Sequence, residues 1–301
     1  MYDVVCLGET MVAFAPSAPG PLAAVPSFEP GIGGAESNVA CALAAAGHAV
    51  AWVSRLGADG FGDLVLRSVA SYGVDVSAVE RDATRPTGVY FRTAAERSTT
   101  ARDPEVAYYR AGSAASALAP GTAVPDTRIL HLTGITPALS PGCGDLVRGL
   151  TARRPGRPRV SFDVNYRPGL WRGAADAGLI FADLARGADV VFVGADEAEA
   201  LWGAADPQAV RALLPEPAVL VVKQGAAGAT ALTGAGTVHV PARRVEVVAA
   251  VGAGDAFAAG FLSATLADLP VRDALGRGHD FAARALSSHG DLAAPAQAAR
   301  R

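Results

Sequence analysis

Hydrophobic residues along the chain fall into short continuous runs, most of which end in a small or polar residue. Uninterrupted runs, unlike alternating ones, predict strands that are buried on both faces, as in a parallel sheet covered by helices. The predicted strands are residues 3–9, 49–57, 128–134, 159–165, 189–197 and 218–225. Helix-period stretches lie between most of them, at residues 37–46, 61–72, 140–153, 176–187 and 207–214. The pattern predicts one α/β unit over residues 1–301.

Two segments interrupt this rhythm. Residues 10–31 are rich in proline and glycine, and residues 86–112 contain the aromatic pieces "TGVYFRT" and "EVAYYRAG". Neither segment has enough apolar residues for a core of its own. Together they are predicted to form a small β layer beside the main sheet, where it could cover a site.

Composition narrows the possible functions. Half of the residues are hydrophobic, 18% are charged and the net charge is −3, which argues against wholesale disorder. The arginines are scattered and Lys223 is the only lysine, so nucleic-acid binding is not expected. Cys6, Cys41 and Cys143 lie far apart in apolar surroundings, which predicts buried free thiols and no structural zinc site. With no basic leader and no long apolar run, we expect a cytoplasmic protein without a membrane span.

The stretch "VGAGDAFAAGF" at residues 251–261 places Gly252, Ala253 and Gly254 directly before Asp255 and an apolar helical pattern. Unpaired amides at the start of a helix are suited to phosphate oxygens. Asp255 could then accept a proton from a hydroxyl that attacks the phosphate. Alternatively, Asp255 only caps the helix. Taken alone, this stretch leaves both interpretations open.

A second helix begins in "GIGGAESNVACALAAAG", residues 31–47, where Glu36 replaces the last glycine of a dinucleotide-binding pattern. In "FDVNYRPGLW", residues 162–171, a strand ends in Asp163, Asn165 and Arg167, and arginine can grip a carboxylate or phosphate with two nitrogens. The alternatives without a functional role are helix capping for the first of these motifs and a solvated loop arginine for the second. "GADEAEALWG" (194–203) similarly opens a helix with acids, while "KQGAAGATAL" (223–232) fits a hairpin turn or a glycine-rich lip over a nucleotide.

In this order, the motifs resemble those of the ribokinase-like, or PfkB, carbohydrate kinases. "GGAESNVA" and "VGAGDAFAAGF" match the two signature regions, and the resemblance extends over residues 3–291. "TGVYFR", "YYRAGSAASALAP", "LHLTGITPALSP" and "FDVNYRPGLW" look like the 2-keto-3-deoxygluconate kinases within this family. The resemblance implies a three-layer α/β/α sandwich with a mostly parallel central sheet and a small β lid, formed by about residues 10–31 and 86–112.

The resemblance also implies roles for individual residues. Asp255 would be the catalytic base, and the amides of Gly252, Ala253 and Gly254 would stabilise charge on the transferred phosphoryl group. Glu197 would be linked to Mg²⁺ through water. The implied substrate-binding residues are Gly33, Gly34, Asn38, Tyr90, Tyr108, Arg110, Ile135, Arg167, Asp255 and Asp291. The implied ATP-binding residues are Asn165, Lys223, Gly225, Gly228, Gly252, Ala253, Gly254 and His279.

The sequence departs from the family pattern at three positions. Ala249 occupies a position where the family often has an aspartate that helps to hold a monovalent cation, which leaves cation activation open. Gly194 replaces the asparagine of an N-x-x-E motif that retains Glu197 as its acid. His279 stands where an asparagine commonly lies near the adenine, so a changed nucleotide preference stays open.

The resemblance implies ATP-dependent phosphorylation of the terminal hydroxyl of a 2-keto-3-deoxy sugar acid, with 2-keto-3-deoxygluconate as the first choice. Arg110 and Arg167 suit a substrate with a carboxylate better than a neutral sugar. Fructokinase or another neutral-sugar kinase is the alternative within the family. A sugar-sensing module and a dinucleotide-dependent oxidoreductase are alternatives from other classes. Gluconate and galactonate stereochemistry are not distinguished, and a homodimer through the lid or a higher homo-oligomer is expected.

Overall fold

The computed structural model describes residues 1–18, 20–93, 106–171, 176–248 and 252–287. The strands are β1 (Tyr2–Leu7), β2 (Met11–Pro16), β3 (Phe28–Gly33), β4 (Val50–Gly57), β5 (Val79–Asp82), β6 (Val89–Arg92), β7 (Val106–Tyr109), β8 (Thr127–Thr133), β9 (Arg159–Asp163), β10 (Val190–Gly194), β11 (Val219–Lys223), β12 (Ala229–Thr233) and β13 (Gly236–Val240). The helices are α1 (Ala35–Ala45), α2 (Gly60–Ser71), α3 (Pro141–Thr151), α4 (Ala177–Gly187), α5 (Ala195–Trp202), α6 (Pro207–Leu213), α7 (Ala253–Leu266) and α8 (Val271–Leu286).

Nine strands form the main sheet, in the order β13-β12-β11-β10-β9-β8-β1-β4-β5. Neighbours pair in parallel from β11 to β5, whereas β12 pairs antiparallel with both β11 and β13. The expectation of a mostly parallel sheet is therefore confirmed. Strand β5, the β12–β13 pair and helix α8 were not among the predicted elements.

The three layers follow from the alternation of side chains along each strand. In β1, Val4 and Cys6 belong to one hydrophobic core, and Val5 and Leu7 belong to the other. Residues of α1, α2, α7 and α8 fill the first core, and residues of α3, α4, α5 and α6 fill the second. Because both faces of the strands are covered, the continuous apolar runs are explained.

A second, smaller sheet has the strand order β3-β2-β6-β7. One face carries Met11, Ala13 and Tyr90, which pack together. On the other face, Phe14 stacks on Phe91 with ring centroids 4.7 Å apart. Strand β2 begins four residues after the end of β1, so this sheet lies close to the carboxyl end of the main sheet. The β layer that the two irregular segments predicted is present in their described residues.

The order in which successive strands are added to the main sheet reverses at β1, although the strands on both sides of β1 are parallel to it. Strands β4 and β5 extend from one side of β1, and β8 through β11 extend from the other. In open α/β sheets, ligands bind outside the carboxyl ends of the strands at such a reversal. A binding site is therefore expected at this edge of the sheet.

The three cysteines are buried and free, as expected. Among the described residues, no helix combines the length and the apolar character that crossing a bilayer requires.

Candidate active site

Helix α7 begins in an unusual way. Gly252 precedes it with φ of +76°, in the left-handed region that glycine tolerates best. Gly252 has no side chain and therefore offers the first amides of the helix no capping oxygen. Its carbonyl accepts a hydrogen bond from the Ala256 amide at 2.9 Å, which leaves the earlier N–H groups without intrahelical partners. Among the described residues these amides have no hydrogen-bond partner, so the positive end of the helix dipole presents donors suited to an anion.

Asp255 lies in the first turn of this helix and contacts the other signature region, "GGAESNVA". Asn38, on α1, donates a hydrogen bond from Nδ2 to Asp255 Oδ2 at 2.8 Å. Burial raises the pKa of Asp255 to about 7, assisted by the negative charge of Asp163 and opposed by Asn38, Lys223 and Arg167. A carboxylate with a pKa near neutrality is suited to general-base catalysis at physiological pH.

Lys223 ends β11 and connects the α7 entrance to the strand ends. Its Nζ donates to both oxygens of Asp163, at 3.0 and 2.8 Å. Burial alone would lower the pKa of Lys223, but Asp163, Glu197 and Asp255 hold it above its ordinary value. A Cβ atom added at Gly254 would lie 3.5 Å from Nζ, so the ammonium group is beside the free amides. Lys223 therefore places a positive charge among three carboxylates.

The segment after β9 supplies further polar groups. Asn165 has φ of +42°, and its buried Oδ1 has no hydrogen-bond partner among the described residues. Arg167 is 57% exposed, and its Nη1 lies 3.8 Å from Glu197 Oε1. Glu197 Oε2 accepts a hydrogen bond from the Gly194 amide at 2.7 Å, at the start of α5. Burial raises the pKa of Glu197, an effect that the charge of Lys223 opposes.

The start of α1 lies at the reversal point of the sheet. Gly34 is its N-cap, and the next residues carry Asn38 and the fully buried Glu36. Glu36 Oε1 accepts hydrogen bonds from Thr133 at 2.8 Å and from Thr136 at 2.7 Å, and burial raises the pKa of Glu36 to about 7. These contacts attach α1 to the end of β8, next to Ile135.

Several buried side-chain oxygens near these strand ends have no hydrogen-bond partner among the described residues. Most buried polar groups in proteins are paired with protein or ordered water, so a group of exceptions needs an explanation. Hydroxyl groups of a bound ligand could satisfy them. The oxygens are Thr10 Oγ1, Glu36 Oε2, Asn38 Oδ1 and Asn165 Oδ1.

The small sheet brings aromatic side chains towards the same edge. Tyr90 pairs with Tyr108 across β6 and β7, with ring centroids 5.5 Å apart. Tyr90 is buried, whereas Tyr108 is 51% exposed. Arg110, just after β7, forms an ion pair with Glu9 at the carboxyl end of β1. Residues from both predicted regions therefore meet at one edge.

The residues expected around the nucleotide are less concentrated. Gly225 and Gly228 bound the loop between β11 and β12, and both have positive φ. His279, on α8, places Nε2 3.0 Å from the Val240 carbonyl oxygen and packs its ring edge-on against Phe257. Burial lowers the pKa of His279, which favours a neutral ring. Asp291 and Ala249 lie outside the described residues.

Three carboxylates here were assigned no role from the sequence, although Asp163 stood out at the end of a strand. Asp163 holds Lys223, Glu36 fixes α1, and Glu9 pairs with Arg110. A signal existed for Asp163 and Glu9, because each ends a predicted strand at the edge where ligands bind. The contacts of Glu36 join residues about 100 positions apart, which no local pattern indicates.

A nine-stranded, mostly parallel sheet with helices on both faces, joined to a four-stranded sheet, makes this a ribokinase-like α/β protein. The sequence profile of pfkB family carbohydrate kinases matches residues 1–298, and the chain belongs to this family.

Individual relatives agree with this assignment. A 2-dehydro-3-deoxygluconokinase from Bacillus subtilis is 37% identical over 299 residues, which covers 96% of this chain and 91% of the relative. The crystal structure of a PfkB protein from Polaromonas sp. superposes with a TM-score of 0.87 at 37% identity, over 96% of this chain and 97% of that one. Aminoimidazole riboside kinase from Salmonella enterica, solved with aminoimidazole riboside and an ATP analog, has a TM-score of 0.82 at 25% identity, over 96% and 95% of the two chains.

Proposed function

We propose that this carbohydrate kinase transfers the γ-phosphoryl group of ATP to the terminal hydroxyl of a 2-keto-3-deoxy sugar acid, above all 2-keto-3-deoxygluconate, and forms the 6-phosphate. The main observation in favour is a carboxylate, Asp255, with a pKa of about 7 beside free amides at the entrance of α7. The Bacillus subtilis relative is a 2-dehydro-3-deoxygluconokinase, which supports this choice of substrate. Arg110 and Arg167 at one edge of the sheet supply the charge that a carboxylate requires.

The proposed reaction follows from these positions. Asp255 accepts the proton of the terminal hydroxyl, whose oxygen then forms a bond to the γ-phosphorus while the bond to the leaving oxygen of ADP breaks. The amides of Gly252, Ala253 and Gly254 donate hydrogen bonds to the phosphoryl oxygens. Lys223, held by Asp163 at 2.8 Å, adds a positive charge beside them. Asn38 orients the carboxylate of Asp255 through their hydrogen bond.

ATP as the donor is supported by the Salmonella enterica kinase, which was solved with an ATP analog. In this proposal the nucleotide lies along the loop between β11 and β12, at Gly225 and Gly228. Lys223 lies on its phosphate side and His279 towards its base. The nearby Asn165, whose buried Oδ1 has no partner among the described residues, would complete this side of the site.

The carboxylates also fit a magnesium ion held mainly by phosphate and water. Mg²⁺ commonly binds through one or two carboxylates together with substrate phosphates. Glu197 is suited to this role because it is largely buried and only its Oε2 is committed to a backbone amide. When bound, the ion would neutralise charge on the phosphates.

We further propose that the small sheet is a lid and that it pairs with a second copy of the chain. Tyr109 on β7 and Phe61 on α2, which packs edge-on against Phe14, are large exposed aromatic side chains on or beside this sheet. Tyr109 packs edge-on against Phe91, which continues the aromatic face. Covering this face in a dimer would remove apolar surface from water. Light scattering coupled to size exclusion measures the mass, and a monomer at micromolar concentration would contradict the proposal.

The substrate is tested by an ADP-release assay with the purified protein and MgATP. The acceptors are 2-keto-3-deoxygluconate, 2-keto-3-deoxygalactonate, fructose and ribose, compared by kcat/KM. We expect at least one of the two acids to exceed both neutral sugars by about 10²-fold, because two arginines lose their partner in a neutral substrate. Fructose turned over as well as either acid would replace the proposal with a fructokinase. No ADP release with any acceptor would contradict a catalytic role.

A further inference from the structure

Arg110 reaches the site from the small sheet, yet its charge is already matched by a residue in the connection between the two sheets. Glu9 lies between β1 and β2, where the chain passes from one sheet to the other. Its side chain is 1% exposed, and its Oε2 forms an ion pair with Arg110 Nη2. Removing one member of a buried pair leaves the other without compensation, so this contact strongly constrains Arg110.

The Glu9 carboxylate is held from a second direction as well. Its Oε1 accepts a hydrogen bond from Ser113 Oγ at 2.5 Å. Ser113 and Arg110 belong to one turn, in which the Ser113 amide donates to the Arg110 carbonyl at 3.0 Å. Glu9 therefore contacts two residues of the turn after β7 and holds the turn as a whole rather than a single side chain.

Neighbouring residues leave space for this pair and shape it. A Cβ atom added at Gly88 would lie 3.2 Å from Glu9 Oε1 and 3.4 Å from Arg110 Cβ, so a larger residue would crowd both. The guanidinium carbon of Arg110 lies 5.7 Å from the centre of the Tyr108 ring, within the range of a cation–π contact. Arg110 is thus held on one side by a charge and on another by an aromatic face.

Part of the guanidinium group is still free to bind a ligand. The Arg110 side chain is 10% exposed, and its Nε has no hydrogen-bond partner among the described residues. A buried N–H without a partner is costly, and a carboxylate in the site would satisfy it. Glu9 engages Nη2 and leaves Nε available.

We infer that Glu9 is a positioning residue that fixes Arg110 for recognition of the substrate carboxylate, and so sets the preference for an acid over a neutral sugar. This inference rests on the proposed function, since it requires an acid substrate. Glu9 need not contact the substrate, because it acts by holding the turn that carries Arg110 against the end of β1.

The test is a double-mutant cycle with Glu9→Gln and Arg110→Gln, assayed by ADP release. Glutamine keeps the size of Glu9 and can still accept from Ser113, but it lacks the charge that holds Arg110. We expect Glu9→Gln to raise the KM for the keto acid about tenfold while the KM for ATP stays within about twofold, the size of one charge-assisted hydrogen bond. The KM for the methyl ester of the same acid should not change, because the ester lacks the negative charge.

The double variant separates positioning from general damage. If Glu9 acts through Arg110, adding Glu9→Gln to Arg110→Gln should produce no further rise in the KM for the acid. Glu80→Gln is the matched control, since Glu80 is an exposed partner of Arg55 away from this pair. An unchanged KM for the acid in Glu9→Gln, equal rises for acid and ester, or full additivity in the double variant would each overturn the inference.

Two further readouts keep the outcome clear. If Glu9→Gln does not fold, Ser113→Ala takes its place in the test, because this variant removes only the second hydrogen-bond partner of the Glu9 carboxylate. In that case the KM for the acid must rise about threefold and that for the ester must not, a loss near the lower end for one hydrogen bond. An unchanged KM would overturn the inference. Failure of the proposed function is recognised separately, because the wild-type protein would then prefer a neutral sugar.

Discussion

The two sides of the candidate site are built differently. On the transfer side, Asp255, Lys223 and Asp163 contact the main sheet and the helices that cover it, and their charges interact within a few ångströms. On the recognition side, Arg167 and Tyr108 are more than half exposed. The first side is shaped before any ligand binds, whereas the second combines a fixed arginine, Arg110, with exposed side chains that can close on a ligand.

This difference has a physical reason. Stabilising a transferring phosphoryl group requires donors and charges that are already oriented, because reorganising them would cost free energy during the reaction. Recognition of a substrate requires an open path before binding. We therefore expect substitutions on the transfer side to affect kcat and its pH dependence, and those on the recognition side to affect the KM for the acceptor.

Asp255→Asn should have the largest effect. The amide side chain keeps the shape of Asp255 but cannot accept the proton of the acceptor hydroxyl. We expect kcat to fall by about 10³-fold, within the range for loss of a general base. The KM for ATP should change little, and the melting temperature should show that the variant is folded. Turnover equal to that of the wild type would rule out Asp255 as the base.

Lys223→Met should produce a smaller loss and a shift in the pH profile. Asp255 must be ionised to act, so wild-type kcat/KM should rise with pH through an apparent pKa near 7. The charge of Lys223 lowers the pKa of Asp255, and its removal should move this rise to higher pH. A shift of one pH unit would reduce kcat/KM below the transition about tenfold.

Lys223→Arg is the matched control for this shift, because it retains the positive charge. Its pH profile should stay near that of the wild type even if phosphate contacts change kcat. A rise at the same pH in Lys223→Met and in the wild type would contradict the proposed link between Lys223 and Asp255.

Arg167→Ala should have the smallest effect of the three, and most of that effect should fall on the recognition side, because Arg167 is only a minor influence on the pKa of Asp255. We expect the KM for the keto acid to rise about tenfold, at the lower end for a hydrogen bond to a charged group because Arg167 is half exposed. The KM for ATP and the melting temperature should stay near wild-type values. Arg148→Ala removes a similarly exposed arginine from α3 and serves as control. Equal changes in the KM for acid and for ATP would contradict the separation of the two sides.

Much of the fold was accessible from the sequence. The continuous apolar runs at residues 189–197 and 218–225 predicted strands that became β10 and β11, with ends within a few residues of the observed ones. Helix α8 was not predicted, although Ala274, Leu275 and Gly278 recur at helical spacing on its buried face. For the region where the β12–β13 pair begins, the sequence indicated a hairpin turn or a glycine-rich lip, because the glycines at 225 and 228 are typical of both.

The candidate site likewise combines features that the sequence indicated with contacts that it did not. Glycines before Asp255 indicated free amides at a helix start, because that property depends only on neighbours in the chain. The pairing of Asn38 with Asp255 joins residues 217 positions apart and required the packing of α1 against α7. Only the folded chain reveals such contacts, since no local pattern reports what lies across a sheet.

The sequence by itself predicted most of the strands and helices and the candidate residues for phosphoryl transfer, because backbone preferences and helix starts are local properties. Tertiary structure decided which charges face one another: Lys223 with Asp163, and Glu9 with Arg110. Burial raises the pKa of Asp255, and the charges of Asp163 and Lys223 adjust it. The contact with Glu9 orients Arg110. Both effects depend on distance in space and on burial rather than on position in the chain.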